Sequence, residues 1–338
     1  MITRKPLALL SLLPLGLAAL LPGATAQDAA TQGPKVALKV NPRKNASTWF
    51  RSTVLSSQDM DMGGRQMRVK TEVEWVFSAT VLDVPAEDQP LIEFEIGAIK
   101  GDMDLPMMGE VAFDSRSDDD GDDVAAAMKS LVGTKVRAEV ASNGKLTMKD
   151  DLEKVLGKAR EEAGGMTGQL LMGVLNPAAV QRTLEGAFGR LPEQEVGVGE
   201  SWQRTEDAGS PSPVSNKTKL TLAKLDADNA EIAIDGTVEI GQLSDAQVEE
   251  TAGGSESAAM ARDMLKNMKI ENAKVSGRMI WCRKDCMVKE SHHEISMDLT
   301  VPSPMGGEMQ VHQVQKMTVA RTTAEAAKPR KAAPPDKK

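Results

Sequence analysis

The sequence has no tyrosine, and only five phenylalanines and four tryptophans among 338 residues. Aromatic rings therefore cannot fill most of the core, and another bulky apolar residue must supply the volume. Histidine occurs three times and cysteine twice, so the stock of general acids and bases is mostly Asp and Glu. There is no Gly-x-Ser-x-Gly elbow, phosphate-binding glycine loop or His-Glu-x-x-His helix. Beyond the N-terminal leader, no stretch is apolar enough to span a membrane. These absences argue against an enzyme and against a resident cofactor.

What is present begins with an export signal. Arg4 and Lys5 precede an apolar run from Leu7 to Leu21, and Ala24-Thr25-Ala26 then offers small residues for cleavage. The run is interrupted by Pro14 and is shorter than the roughly 20 residues of a spanning helix. Cleavage after Ala26 is predicted. No cysteine lies near that point, which argues against an N-terminal lipid anchor. Two positive charges leave with the signal, so 39 Lys+Arg then face 49 Asp+Glu, a net charge of −10. An acidic chain lacks the basic footprint that nucleic acid requires. The expected location is periplasmic or secreted, with no transmembrane segment in the mature chain.

Twenty methionines replace the missing aromatics, and their flexible thioethers suit irregular packing and adaptable binding surfaces. Period-two alternation predicts strands. Val73, Trp75, Phe77, Ala79 and Val81 share one face, as do Ile92, Phe94 and Ile96, and Val136, Ala138 and Val140. Leu220 with Leu222, Ile232 with Ile234, and Ile295, Met297 and Leu299 repeat the pattern later. Helical spacing appears at Leu152, Val155, Leu156 and Ala159 behind Asp150 or Asp151 as cap. It recurs at Val180, Leu184 and Phe188 behind Asn176-Pro177. A third helix is expected from Ser255 to Met268.

The predicted class is α+β and β-rich, with two similar curved antiparallel-sheet halves and a helical connector. After the signal (1–26) come a flexible leader (27–35) and a first β-rich half (36–149). The helical connector (150–199), a second β-rich half (200–322) and a disordered basic tail (323–338) follow. Each half opens near a tryptophan, at Ser47-Thr48-Trp49 and Glu200-Ser201-Trp202, and continues through a strand pair and a helix to a hairpin. The hairpin loops are Ser142-Asn143-Gly144 and Arg283-Lys284-Asp285, the first with a strong Asn-Gly turn signal.

Phe113-Asp114-Ser115 and the run Leu191-Pro192-Glu193-Gln194-Glu195-Val196-Gly197-Val198-Gly199-Glu200-Ser201-Trp202 resemble an uncharacterised family of exported bacterial proteins, a domain of unknown function. That family has a similar segment between two β-rich halves, and the resemblance implies no activity. A more distant likeness, of architecture alone, is to LolA-type periplasmic lipoprotein carriers, whose curved sheet wraps helices around an apolar cavity.

Three clusters carry candidate chemistry. Cys282 and Cys286 flank the Arg-Lys-Asp loop, and in an oxidising compartment an isolated pair reads as a structural disulfide. Residues facing each other across such a loop stand about 4.5–5.5 Å apart at Cα, within disulfide range. Redox thiols and metal ligation are the alternatives. Met60, Met62 and Met67 would share one face if Gly63-Gly64 forms a two-residue turn that pairs Met60 with Met67. Such a face either packs on apolar groups or offers soft ligands to Cu(I). Asp118 to Asp123 fails the calcium-loop pattern, because Arg116 and Ala127 fall where acids are needed. His292 and His293 are adjacent and point to opposite faces of a strand, so they cannot chelate one ion together.

The expected function is that of a noncatalytic binding or carrier protein with an apolar, Met-rich cavity, without cofactor or metal. Its partners would be an apolar small molecule, a lipid or an envelope protein. Two alternatives are a structural or assembly factor of the cell envelope and a copper-handling protein using the Met60 cluster.

Overall fold

Alternation of apolar and polar residues over long stretches dictates long strands, and the described residues of the computed structural model form twelve. Those residues are 34–62, 64–85, 89–105, 109–117, 123–164, 175–207, 214–240, 267–302 and 308–329. The signal segment, the acidic run 118–122, the helix expected from Ser255 and the end of the tail lie outside them.

The first half contains β1 (Ser47–Met62), β2 (Arg65–Asp83), β3 (Leu91–Leu105), β4 (Gly109–Asp114), α1 (Asp123–Ser130), β5 (Lys135–Val140) and β6 (Leu146–Met148). Helices α2 (Leu152–Ala163) and α3 (Pro177–Glu185) follow. The second half contains β7 (Ser201–Asp207), β8 (Val214–Leu225), β9 (Asn229–Ile240), β10 (Lys269–Cys282), β11 (Met287–Pro302) and β12 (Glu308–Thr322).

All twelve strands belong to one antiparallel sheet, ordered β6-β5-β3-β2-β1-β12-β11-β10-β9-β8-β7, with β4 paired to β3. The two halves share this sheet rather than forming separate layers. Each crosses it as a meander in the same direction, β1-β2-β3-β5-β6 and then β7-β8-β9-β10-β11. The hairpins β5–β6 and β10–β11 thus hold corresponding places, and β12 closes the second half onto β1.

Helix starts follow the cap chemistry. Asp151 caps α2 by accepting from the backbone N–H of Lys154, while Asp150 instead binds the backbone N–H and guanidinium of Arg137. Asn176 caps α3 by accepting from Ala178 and Ala179, with Pro177 in the first turn where no N–H is needed.

One sheet face carries the helices and the main core. Val73, Trp75, Phe77, Ala79 and Val81 are all buried there, as are Ile92, Phe94 and Ile96. Phe50 stacks on Phe77 with centroids 5.6 Å apart, Phe77 tilts against Phe94 at 6.2 Å, and Phe94 meets Phe188 edge-on at 6.1 Å. Phe113, the fifth phenylalanine, lies over Gly101, where a Cβ would come within 2.2 Å of its ring. The second half has no phenylalanine and buries Met279, Trp281, Met287 and Met297 instead. Methionine therefore fills the core where aromatic rings are missing.

The connector is pinned between the two hairpins. Leu191 donates its N–H to Asn143 O (3.0 Å), and Val288 donates to Ala187 O (2.8 Å). Gly144, with φ +90°, sits so close to this crossing that a Cβ would come within 2.1 Å of Gly189 O. The chain also stays folded beyond residue 323. Ala324–Ala327 form a 3-10 turn against β2 and β3, and Ala326 O accepts from the buried guanidinium of Arg116 at 3.1 Å.

Candidate functional site

Helix α3 covers only part of the helix-side face, and a cavity of about 440 Å³ opens between them. Its chemistry follows from strand register. Val54 is paired with Val73 on one side and Met317 on the other, and these three form an apolar level that Val180 also lines; Trp75 lies one step to one side of it, and Met103, paired with Thr71, lies one step to the other. One step further along the strands, Ser56 is paired with Thr71 and Gln315, and Gln58 follows. Each two-residue step advances about 6.7 Å, so the lining passes from hydrocarbon to neutral hydroxyls and amides within about 14 Å. Arg182 and Thr183 of α3 complete the wall. The resulting surface suits a molecule with an apolar body and a hydrogen-bonding end.

On the other side of α3 lies a smaller hollow of about 40 Å³, lined in part by Arg182, Glu185, Arg190, Met279, His293 and Met317. His293 is paired with Gly277 and Met317 on this face. Burial, helped by the positive charge of Arg190, pushes its pKa down to about 4, so the ring is neutral near pH 7. His292 points to the opposite face, where it binds Glu290.

The methionine register is the one that the glycine turn predicts. Met60 pairs with Met67, and Met62 pairs with Arg65. Met60 and Met67 line a cavity of about 790 Å³ together with polar residues such as Asp59, Arg68, Asp298 and His312. Asp298 accepts from Asn272 at 2.7 Å and pairs with His312 Nδ1 at 2.6 Å. These bonds hold the Asp298 carboxyl below its usual pKa. The side chain of Met62 lies outside the description.

The cysteine turn differs from expectation. Cys282 is paired with Met287, so the loop is the four residues Arg283 to Cys286 and the two cysteines do not face each other across the strands. Cys286 takes φ +55° inside the turn. Both thiols are free. Cys282 Sγ donates to Asp285 and Cys286 Sγ donates to Arg283 O, each at 3.5 Å. Burial pushes the Cys286 thiol pKa up.

The Leu191–Trp202 run forms a locked corner rather than a reactive site. Val36 and Val196 make an isolated bridge, Glu200 accepts from Gly197 N at 2.9 Å, and Lys35 pairs with Glu200 at 2.7 Å. Trp202 Nε1 donates to Arg190 O at 3.2 Å. Gly199 has φ +89°, which favours glycine. The Asp114-Ser115 pair likewise orders structure. Ser115 Oγ accepts from Ile99 N, and the Asp114 carboxylate takes three hydrogen bonds from Arg116, one from its backbone N–H and two from its guanidinium. Arg116 was not visible as a core residue in the sequence, and its only signal was the neighbouring Asp114.

Among the described residues, no three His, Cys, Asp or Glu side chains converge as metal ligands. No described helix is long and apolar enough to cross a membrane.

A family of unknown function, DUF6263, matches residues 88–278, more than half of the chain. No curated protein sequence matches. Solved structures match distantly. A structure concerned with lipid–protein interactions in lipovitellin shares 9% identity with a TM-score of 0.43, covering 84% of this chain and 26% of that one. An outer membrane channel from Pseudomonas putida F1 shares 7% identity with a TM-score of 0.22, covering 84% and 98%. A protein described as an outer membrane lipoprotein-sorting domain from Vibrio parahaemolyticus shares 7% identity with a TM-score of 0.13, covering 81% and 83%. The chain spans about a quarter of the lipovitellin chain. At these scores the likenesses carry no functional argument.

Proposed function

We propose, for a chain that belongs to the family of unknown function DUF6263, a noncatalytic binding role in the cell envelope. The chain holds an amphiphilic molecule between α3 and the helix-side face of its sheet. The observation that carries this reading is the cavity of about 440 Å³, apolar at Val54, Val73, Trp75, Val180 and Met317 and polar at Ser56, Gln58 and Gln315. Its volume lies within the roughly 300–1,000 Å³ common for small-molecule sites. The N-terminal signal pattern supports an exported location.

The exposed surface favours this reading over a structural or assembly factor. Among the described residues, Val132 and Val198 are the exposed large apolar side chains. They do not amount to the flat apolar patch that a protein-holding face would present. Copper handling rests on the Met60–Met67 pair, and competition with a Cu(I) chelator tests it.

The binding role is tested by titrating the full exported chain with N-phenyl-1-naphthylamine, a fluorophore that brightens in apolar surroundings. Saturable brightening is expected, and Val180→Trp, which fills the cavity, should weaken it at least about tenfold. Native mass spectrometry of protein taken from its own envelope should show an added mass of small-molecule size. No saturable signal, or binding unchanged in the Val180→Trp protein, would overturn the proposal.

A further inference from the structure

Around the cavity under α3, the strands keep their charges on the other side of the sheet. From Val54 to Met60, β1 runs between β2 and β12 in an unbroken register. Beyond the apolar level at Val54, the next row on the α3 side is Ser56 with Thr71 and Gln315. Gln58 follows with Val69 and Gln313, and then Met60 with Met67 and Val311. None of these side chains is ionisable. The charged residues occupy the alternate positions, which point to the opposite face. Along β2, Thr71, Val69 and Met67 are half-buried, whereas Glu72, Lys70 and Arg68 are exposed. On β12, Lys316 and His312 are likewise exposed between half-buried or buried neighbours.

The polar end of the cavity has hydrogen-bonding capacity to spare. Ser56, Gln58, Thr71 and Gln315 line it, and among the described residues none of the four makes a side-chain hydrogen bond. Thr183 on α3 differs, since its hydroxyl donates to Ala179 O at 3.0 Å. Polar groups withdrawn from water are ordinarily paired, so these four await whatever enters. Hydroxyls and primary amides both donate and accept. They therefore match alcohols, esters and amides, which present the same mixture.

Arg182 is the one charged residue among the described lining. It already has a partner. It also lines the small hollow on the other flank of α3, beside Met317 and Val319. Met317 is common to both hollows, which puts Arg182 by the apolar level and not among the four polar side chains. An ionised head at the polar end would give up hydration and meet no opposite charge there. A neutral head gives up less and finds donors and acceptors together.

We propose that the cavity selects an uncharged amphiphile, a hydrocarbon chain bearing an alcohol, ester or amide head. It discriminates against fatty acids, phosphate-bearing lipids and cationic amphiphiles of the same chain. This inference rests on the binding role proposed above and names the class of ligand for that site.

Displacement of bound N-phenyl-1-naphthylamine from the full exported chain tests it near pH 7.5, where a free carboxylic acid is ionised. The competitors are decanoylglycerol, decanoate, decyl phosphate and decyltrimethylammonium, which share one chain length and differ in head charge. Decanoylglycerol should displace the fluorophore at a concentration at least about tenfold lower than any of the three ions. Gln315→Lys sets a cation at the polar end opposite Ser56 and should reverse the order of decanoylglycerol and decanoate. An unchanged melting temperature shows that the variant is folded, and if it is not, the ranking in the native chain decides. The proposal is overturned if any of the ions competes as well as decanoylglycerol, or if folded Gln315→Lys keeps the native order. A saturable fluorophore signal with equal displacement by the ions sinks the selection alone. Absence of that signal removes the binding role and this inference with it.

Discussion

Lowering the pH should weaken the fold through His293. Its ring is neutral in the folded protein, with a pKa pushed down from 6.5 to about 4 chiefly by burial. The unfolded chain takes up a proton near pH 6.5, and the folded chain resists until near pH 4. Stability is therefore fully present above the unfolded pKa and declines as pH falls between these values, below which the difference is constant. A gap of about 2.5 units corresponds to about 3 kcal/mol in full, of which about 2 kcal/mol is lost by pH 5. The ring keeps some solvent contact, so these figures are ceilings. Arg182, Arg190 and Glu185 share its hollow, and the two arginines oppose a further positive charge there. The assay is urea unfolding at pH 7.5, 6 and 5 of the native chain and of His293→Gln. Carboxylates titrate in both proteins, so the difference between their slopes isolates the histidine. The native chain should lose about 2 kcal/mol more than the variant between pH 7.5 and 5. Parallel pH profiles would refute the reasoning.

Arg116→Leu should cost about 2–4 kcal/mol, because it removes the buried guanidinium that Glu74, Asp114 and Ala326 O share; thermal melting should register a clear drop. Gly144→Ala should destabilise more than an ordinary surface change, through both its φ of +90° and the clash with Gly189 O. A similar expression level and melting temperature would show that the connector can move aside. The thiols are free in this structure, but Cys286 closes the turn that directly follows Cys282, and non-reducing peptide mapping of protein exported to an oxidising compartment is expected to find the two joined. Two alkylatable thiols in unreduced protein would contradict that pairing.

Much of the sheet was legible because its strands alternate cleanly. The stretch Val73 to Val81, the Asn143-Gly144 turn and the Met60–Met67 pairing required only period-two facing and glycine's access to positive φ. The second hairpin misled for a local reason. A three-residue loop needs a left-handed residue in third place, and Asp285 is instead drawn into an ion pair with Arg321 at 2.6 Å. The left-handed conformation falls to Cys286, the loop gains a residue, and Cys282 comes to pair with Met287. The hollow under α3 left no local signal at all. Val54, Val73, Met103, Val180 and Met317 are scattered along the chain, and only the closure of β12 on β1 brings them together.

That closure also orders events in time. β1 starts at Ser47, yet one of its two neighbours, β12, ends at Thr322. A chain emerging from its N-terminus completes β2 to β11 while the middle of the sheet is still two unjoined rims, those of β1 and β11. Long-range pairing of this kind forms slowly, and open rims invite pairing with other chains. Loss of the residues from Glu308 onward would therefore do more than shorten the sheet. It would leave two half-sheets, each with a long unpaired strand at what should have been the centre.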